Sequence, residues 1–515
     1  MSKFDKAVLV LAIITFVGCA WISANIYENL PHVEDEFAYT WQANLIARGE
    51  LLIPSPPCPN CFLVPFVVDH NELRFGKYPI GWPAVLGISV KIGIRDWVNP
   101  FFAGFSIWLV YLLAKRLSDE ISALLTAFLV ATSPMFLMNA GSLLSHIWSF
   151  WLMLVFISTW LNSVKNRENL NTNYWLGLII SGLSLGLLTL TRPLTAIAIA
   201  FPFVCHGVYL LITGSKRQKL SAIFIASLAC FLSLFLPVWQ FAVTGNLFLN
   251  PYQLWWPYDK LGFGPDIGLQ PGGFSWIYAK MNTKFSLRVG YSDLFGWFKH
   301  SWIFLPFGVV ALGKNLQRWL IAAIFPAIVL AYTFYWIGSW LYGPRYYFEA
   351  LFSLAFISAL GIRVFVGKIS GPVGRHTRSI ANVRFIIGSA LVVFLMIANI
   401  FLYSPIRLGG MKNFAGVSSS QLTPFLSSNQ DKLQPALIIV HKISYWTEYA
   451  TLLELSSPFL DSPLIFTYSR GPEVDNQLKQ FFPQRSLWHY YPDEPYRLYS
   501  AERPVSTKTQ SAPRP

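Results

Sequence analysis

The sequence predicts an all-α polytopic membrane bundle of about eleven transmembrane helices, with extracytoplasmic surface helices and a small C-terminal α/β domain. Three observations carry this reading. The 515-residue chain is 54 % hydrophobic but only 12 % Asp, Glu, Lys and Arg, with mean hydropathy +0.46. A soluble core cannot absorb that much apolar side chain. Apolar runs of near-span length recur along the chain, and the cations cluster in alternate loops between them.

The runs lie at about 7–24, 98–114, 121–138, 143–161, 174–190, 194–212, 220–237, 301–313, 319–337, 346–362 and 385–402. Several are shorter than the roughly 20 residues of an upright span. Ile80 to Ile94 contains Pro83 and Lys91 and reads as a partial or interfacial helix. Lys3 and Lys6 precede the first run, which lacks a small-residue cleavage pattern and reads as an uncleaved span. Eleven spans put Lys3/Lys6, Lys115/Arg116, Lys165/Arg167, Lys216/Arg217/Lys219, Lys314/Arg318 and Arg363/Lys368/Arg375/Arg378/Arg384 on one side. That side is the cytoplasm by the positive-inside rule, and it contains the N-terminus. The expected location is the plasma (inner) membrane.

Residues 1–402 then form the membrane domain, with external loops at 25–97 and 238–300. Residues 403–501 form a small external domain. Its apolar runs Ala436–Val440 and Pro463–Tyr468 read as strands flanking a helical Tyr445–Leu455, an α/β alternation. The Pro/Ser/Thr-rich 502–515 reads as a disordered tail.

The net charge of +14 does not indicate nucleic acid, because no basic run is interleaved with aromatics. Cys19, Cys205 and Cys230 lie in apolar runs as packing residues. Cys58 and Cys61 have no second pair for zinc; a bridge and two free thiols are equally open. No Walker or Rossmann glycine spacing occurs, which disfavours an ATP-driven pump or a nucleotide-sugar enzyme.

The strongest chemical signal is His32-Val33-Glu34-Asp35-Glu36, three carboxylates beside a membrane exit. Carboxylates near hydrocarbon are costly, and a general base or a metal ligand facing a membrane-surface substrate is the simplest reason for them. Phe37, Trp41 and Leu45 follow at four-residue spacing, the pattern of an amphipathic helix on the membrane surface. The plain alternative is Asp35 as a helix N-cap.

Four further constellations lie on the same expected side. Lys77, in Arg74-Phe-Gly-Lys-Tyr-Pro-Ile-Gly-Trp82, suits a lipid phosphate, or it snorkels. Arg192, in Thr191-Arg192-Pro193, sits between two runs with no loop. Arg345, in Tyr342-Gly-Pro-Arg-Tyr-Tyr-Phe-Glu349, opposes the positive-inside trend and needs an anion: a phosphate, or Glu349 four residues on. Ser145-His146 supplies a lone histidine for sugar or metal, or for packing. Trp255 and Asp259 of the second loop, with Tyr78 and Tyr346 beside the cations, are candidate sugar contacts.

Together these motifs, in their order and sidedness, resemble the GT-C glycosyltransferases of the protein O-mannosyltransferase and lipid A aminoarabinose transferase superfamily, over about residues 1–402. The resemblance implies a sugar moved from a polyprenyl-phosphate donor, to an acceptor that is glycan, lipid or protein, in contact with membrane lipid and without nucleic acid. It implies Asp35 as base with Glu36 as partner, and Lys77 and Arg345 on the donor phosphate; an anionic leaving group needs cations, and Arg192 joins them on that ground. No cofactor is required beyond a candidate divalent metal ion. Where many members have a carboxylate at the start of the fourth span this chain has Ser145-His146, which weakens the case for that metal. The alternative is a transporter or flippase of polyprenyl-linked sugars; that class carries intramembrane charge and repeat symmetry, which the sequence lacks.

Overall fold

A computed structural model describes residues 1–165, 172–367, 378–426, 435–442 and 444–503. Arg167, Lys368 and Arg375 of the expected cation groups, and 504–515 of the expected tail, lie outside the described residues. The chain forms two compact units. One comprises Met1–Asn29 with Lys77–Lys412, the other Leu30–Gly76 with Asn413–Pro515.

The first unit is helical. Among the described residues eight helices are long and apolar enough to cross a membrane: Lys3–Asn25, Arg95–Leu117, Asn173–Thr191, Pro193–Thr213, Lys216–Thr244, Leu316–Thr333, Arg345–Phe365 and Asn382–Leu426. Glu120–Ala131 with Pro134–Gly141, bent by 55°, makes a ninth when the pair is taken as one span. The other two expected spans depart from that set. His146–Ser163 is an 18-residue helix diluted by Ser, Thr, Asn and Trp. The run at 301–313 folds only as the seven-residue Leu305–Ala311. That short helix reaches Leu351–Phe365 at backbone contact: a Cβ on Gly308 would strike the Ile357 carbonyl, and one on Gly361 the Phe304 carbonyl. Burial separates centre from rim. In the most apolar 18-residue stretch of Arg345–Phe365, 89 % of the residues are buried, against 22 % in that of Lys216–Thr244.

The expected grouping of cations has a physical counterpart. Lys115 pairs with Asp5 at 2.8 Å and with Glu120 at 2.7 Å. Arg116 donates to Asn162 at 2.7 Å, Arg318 to the Leu117 carbonyl at 2.8 Å, and Arg363 pairs with Asp119 at 3.6 Å. These contacts gather four cations of three segments at one end of the bundle. His146 begins and Arg192 caps their helices at the other end, where Glu349 precedes Leu351–Phe365 by two residues.

The second unit is α/β. Leu464–Tyr468, Ala436–Val440, Ser486–Tyr490 and Leu498–Tyr499 form a sheet in that order; the first three are parallel and the last antiparallel. Ala436–Val440 is buried at every residue, which explains its unbroken apolar run. One face packs Ile438, Val440 and Phe466 against Leu30, Phe37, Phe425 and Tyr449. The other packs Leu437 and Ile465 against Cys61, Phe62 and Leu478. Cys58 and Cys61 are joined in a disulfide, which resolves the alternatives left by the sequence. A small antiparallel sheet of Ile53–Pro54, Leu73–Gly76 and Val67–His70 completes the unit. Arg74 is buried there, donating to the Phe62 carbonyl and 3.5 Å from Asp69.

Two expectations about the acidic helix need correction. The helix runs Glu34–Ala47, and Phe37, Trp41 and Leu45 are buried at 3, 8 and 0 % exposure. Its apolar stripe is therefore protein core, not a membrane-surface face; Phe37 meets Trp446 edge-on at 5.6 Å. The N-cap is Val33, not Asp35. Glu36 closes the helix start by accepting from the backbone of His32 at 2.7 Å and Val33 at 3.1 Å.

Candidate active site

Close packing brings three of the sequence motifs together. The helix Gly81–Lys91 begins against the end of the Thr172–Thr191 helix, where a Cβ on Gly81 would lie 2.6 Å from the Leu190 carbonyl and Thr191 Oγ1. Only glycine permits that approach. Trp82, one residue on, donates its indole N–H to the Leu143 carbonyl at 2.9 Å, beside Ser145-His146. The Lys77, His146 and Arg192 segments are thus neighbours.

Arg192 is fixed through every guanidinium nitrogen. Nε donates to Thr195 Oγ1 at 3.3 Å and lies 3.3 Å from Glu349 Oε1. Nη1 is 3.2 Å from His146 Nε2, and Nη2 donates to the Tyr332 hydroxyl at 3.0 Å. An arginine only donates, so Nε2 accepts and the His146 ring hydrogen is assigned to Nδ1. Glu349 and His146 are buried, at 0 and 1 % exposure. The expected i, i+4 pair of Arg345 with Glu349 does not form. Arg345–Ala350 is a 3₁₀ helix, in which residues four apart leave a common face, and Glu349 turns to Arg192 instead.

Lys77 is a buried cation, not a snorkelling one, at 2 % exposure. Its ammonium lies 3.8 Å from Asp259 Oδ2 and 4.7, 4.9 and 5.3 Å from the ring centres of Trp256, Tyr252 and Tyr78. An aromatic cage of this kind stabilises an ammonium in place of water. Asp259 Oδ1 accepts from the Tyr335 hydroxyl at 3.1 Å and from Trp336 Nε1 at 3.0 Å. Burial first, then the fields of Tyr346 and Asp259, hold the Tyr335 hydroxyl well above its ordinary pKa, so it stays a donor.

Aromatic rings connect the two cations. Tyr335 meets Tyr346 at 5.7 Å, and Tyr346 stacks on Tyr332 at 5.0 Å with 8° between planes. Tyr332 in turn bonds Arg192. Arg345 lies 5.5 Å over the Tyr346 ring and within electrostatic range of His146. Tyr342 is buried with φ +58°, and its carbonyl accepts from Asn139 at 3.0 Å, which fixes the turn that presents Arg345.

The first unit therefore brings together Lys77, Tyr78, His146, Arg192, Asp259, Arg345 and Tyr346. Trp256 faces Lys77, and Trp255 is half-buried in the short helix Tyr252–Trp255. Asp35, half-buried, and the capping Glu36 belong to the second unit. Sequence reasoning missed Tyr252, Tyr332, Tyr335 and Trp336, because aromatics crowd membrane interfaces by default and give no distinct signal. Among the described residues no three His, Cys, Asp or Glu side chains converge as metal ligands. At His146 the donor set does not fit a cation, since the accepting Nε2 already faces a guanidinium.

Residues 85–253 match the model of the oligosaccharyl transferase STT3 N-terminal family. Sequence comparison with curated proteins returns no match. ArnT from Cupriavidus metallidurans, bound to undecaprenyl phosphate, is 13 % identical at a TM-score of 0.57, over 94 % of this chain and 90 % of that one. The archaeal oligosaccharyltransferase AglB from Archaeoglobus fulgidus, in complex with an inhibitory peptide and a dolichol-phosphate, is 14 % identical at 0.54 over 90 % of this chain. The same enzyme tethered to an acceptor peptide gives 0.51 at 14 % identity over 88 %. The chain spans just under two thirds of the AglB chains, 65 and 63 %. Helical order, family model and structural likeness agree: the chain has the fold of the GT-C superfamily of membrane glycosyltransferases.

Proposed function

We propose that the protein transfers a sugar from a polyprenyl-phosphate donor to a glycan, lipid or protein acceptor at the outer face of the plasma membrane. The N-terminus is then cytoplasmic, and the site and C-terminal unit are extracytoplasmic. The sugar is a hexose or a pentose. The observation that carries this reading is Arg192, held on all its nitrogens at one end of a GT-C bundle with Lys77 and Arg345 joined to it through tyrosines.

In the reaction the acceptor heteroatom bonds to the anomeric carbon, and the bond from that carbon to the phosphate oxygen breaks. The electron pair leaves on the phosphate, so its charge grows in the transition state. Fixed cations stabilise that growth without having to reorganise. Asp35 takes the acceptor proton, a step typically worth about 10²–10⁴ in rate. Direct displacement inverts the anomeric centre. The capping bonds of Glu36 leave it the role of fixing the start of Asp35's helix.

The test is the full chain in nanodiscs with polyprenyl-phosphate sugars, following free polyprenyl phosphate by mass spectrometry. Turnover by the wild type and its loss in Asp35→Asn, with folding intact, is the expected result. Unchanged transfer by Asp35→Asn removes the base, and no turnover of any such donor overturns the reading.

A further inference from the structure

The helix Trp276–Asp293 carries a surface that the site does not use. Trp276, Ile277, Met281 and Phe285 are exposed at 63, 69, 59 and 47 %. Lys280, Lys284 and Arg288 are exposed as well, and they recur every four residues one position before or after the apolar series. At 100° per residue this makes an apolar stripe and a basic stripe side by side on one face. The opposite face is fastened to the protein. Ala279, Ser286, Gly290 and Asp293 are buried. Asn282 donates to the Trp336 carbonyl at 2.9 Å, and Ser286 Oγ accepts from the Ser339 backbone at 2.8 Å. A Cβ on Gly290 would lie 2.9 Å from the Trp302 ring.

The exposed face is therefore held outward by its own docking. Trp340 extends the apolar stripe, 46 % exposed and edge-on to Phe285 at 5.8 Å. The segment falls between the apolar helices Lys216–Thr244 and Leu316–Thr333, so the chain leaves and re-enters the bundle on either side of it.

We propose that Trp276–Asp293 is an interfacial helix that binds anionic phospholipid headgroups. Its apolar stripe sits at the acyl boundary, and Lys280, Lys284 and Arg288 contact lipid phosphates. The pairing of stripes selects this occupant. A protein partner would need acidic groups set beside an apolar ridge, whereas an anionic bilayer surface presents phosphate above hydrocarbon at every point. The inference concerns lipid selection and does not require the transfer reaction.

Two measurements on the full chain test it. With spin-labelled phosphatidylglycerol and phosphatidylcholine in the same vesicles, the wild type should hold the anionic lipid several-fold more strongly. Lys280→Glu/Lys284→Glu/Arg288→Glu should bring that ratio close to one. A nitroxide at Met281→Cys, with Cys205 and Cys230 replaced by serine, should be accessible to oxygen and shielded from aqueous nickel chelate. An unchanged lipid ratio in the triple variant, or a water-exposed Met281→Cys label, overturns the proposal. So does displacement of the anionic lipid by millimolar inorganic phosphate, which would mark a compact anion site. Neither readout uses turnover, so lost lipid selection with intact transfer sinks this inference alone, and absent transfer leaves it standing.

Discussion

Glu349 Oε1 lies 3.3 Å from Arg192 Nε, with the carboxylate wholly buried and the guanidinium bonded on its other nitrogens to His146 and Tyr332. A partly buried arginine so held is a directional donor rather than a floating charge. Lysine keeps the charge but cannot reproduce the fork.

Arg192→Lys should therefore lower donor turnover by about 10²-fold, the usual loss for one preorganised donor, while the protein still folds. Single-turnover rates on the reconstituted enzyme, with thermal melts of both forms, check this. Wild-type rates in Arg192→Lys would show that charge alone suffices. Glu349→Ala should instead destabilise, because it leaves the partly buried Arg192 guanidinium without its carboxylate.

The second cation gives a double-mutant cycle. Asp259→Asn keeps an acceptor for Tyr335 and Trp336 but removes the charge 3.8 Å from Lys77. It should lower the melting temperature, and Lys77→Met added to it should recover part of the loss. A coupling of at least about 1 kcal/mol is expected for groups in contact. Additive effects would mean that the aromatic cage, not Asp259, compensates Lys77.

Phe37→Ala discriminates between core and membrane-surface readings of the Glu34–Ala47 helix. Phe37 is 3 % exposed among sheet residues, so its truncation should cost about 3–5 kcal/mol. Proteolysis of the full chain should then cut the second unit at denaturant concentrations that leave the wild type intact. Unchanged protection with weaker lipid binding would return the helix to the membrane surface.

Much of the bundle was legible because composition and cation placement act over whole spans. The expected common side of Lys115, Arg116, Arg318 and Arg363 reappears as one network. The site was legible as motifs but not as pairings. Arg345 and Glu349 are four apart in sequence, yet a 3₁₀ turn separates them, and Glu349 finds an arginine from a distant helix. Phe37, Trp41 and Leu45 make an amphipathic pattern that a membrane and a protein core satisfy equally. Periodicity reports that a face is apolar, and only the tertiary partner, here the sheet around Ala436–Val440, decides what covers it.

Acid should weaken the second unit through the histidines at the C-terminal ends of the two interior strands of that sheet. His441 follows the central strand; its Nε2 is 3.0 Å from His489 Nδ1, and its ring stacks on Tyr491 at 4.3 Å. Burial, with the neighbouring His489 adding to it, pushes His441 down to about 4; Asp475 opposes the shift and Arg503 assists it. His489 is lowered too, by burial. The unfolded chain binds a proton at His441 near pH 6.5, so between about 4 and 6.5 it holds more protons than the folded chain. Stability from this residue is thus complete above the unfolded value and is lost as pH falls through that window. The second unit should melt at lower temperature at pH 5 than at pH 7.5, and His441→Gln should shrink the difference. Thermal melts of both proteins across pH 4.5–8 check this, and parallel curves would show that His441 does not set the acid sensitivity.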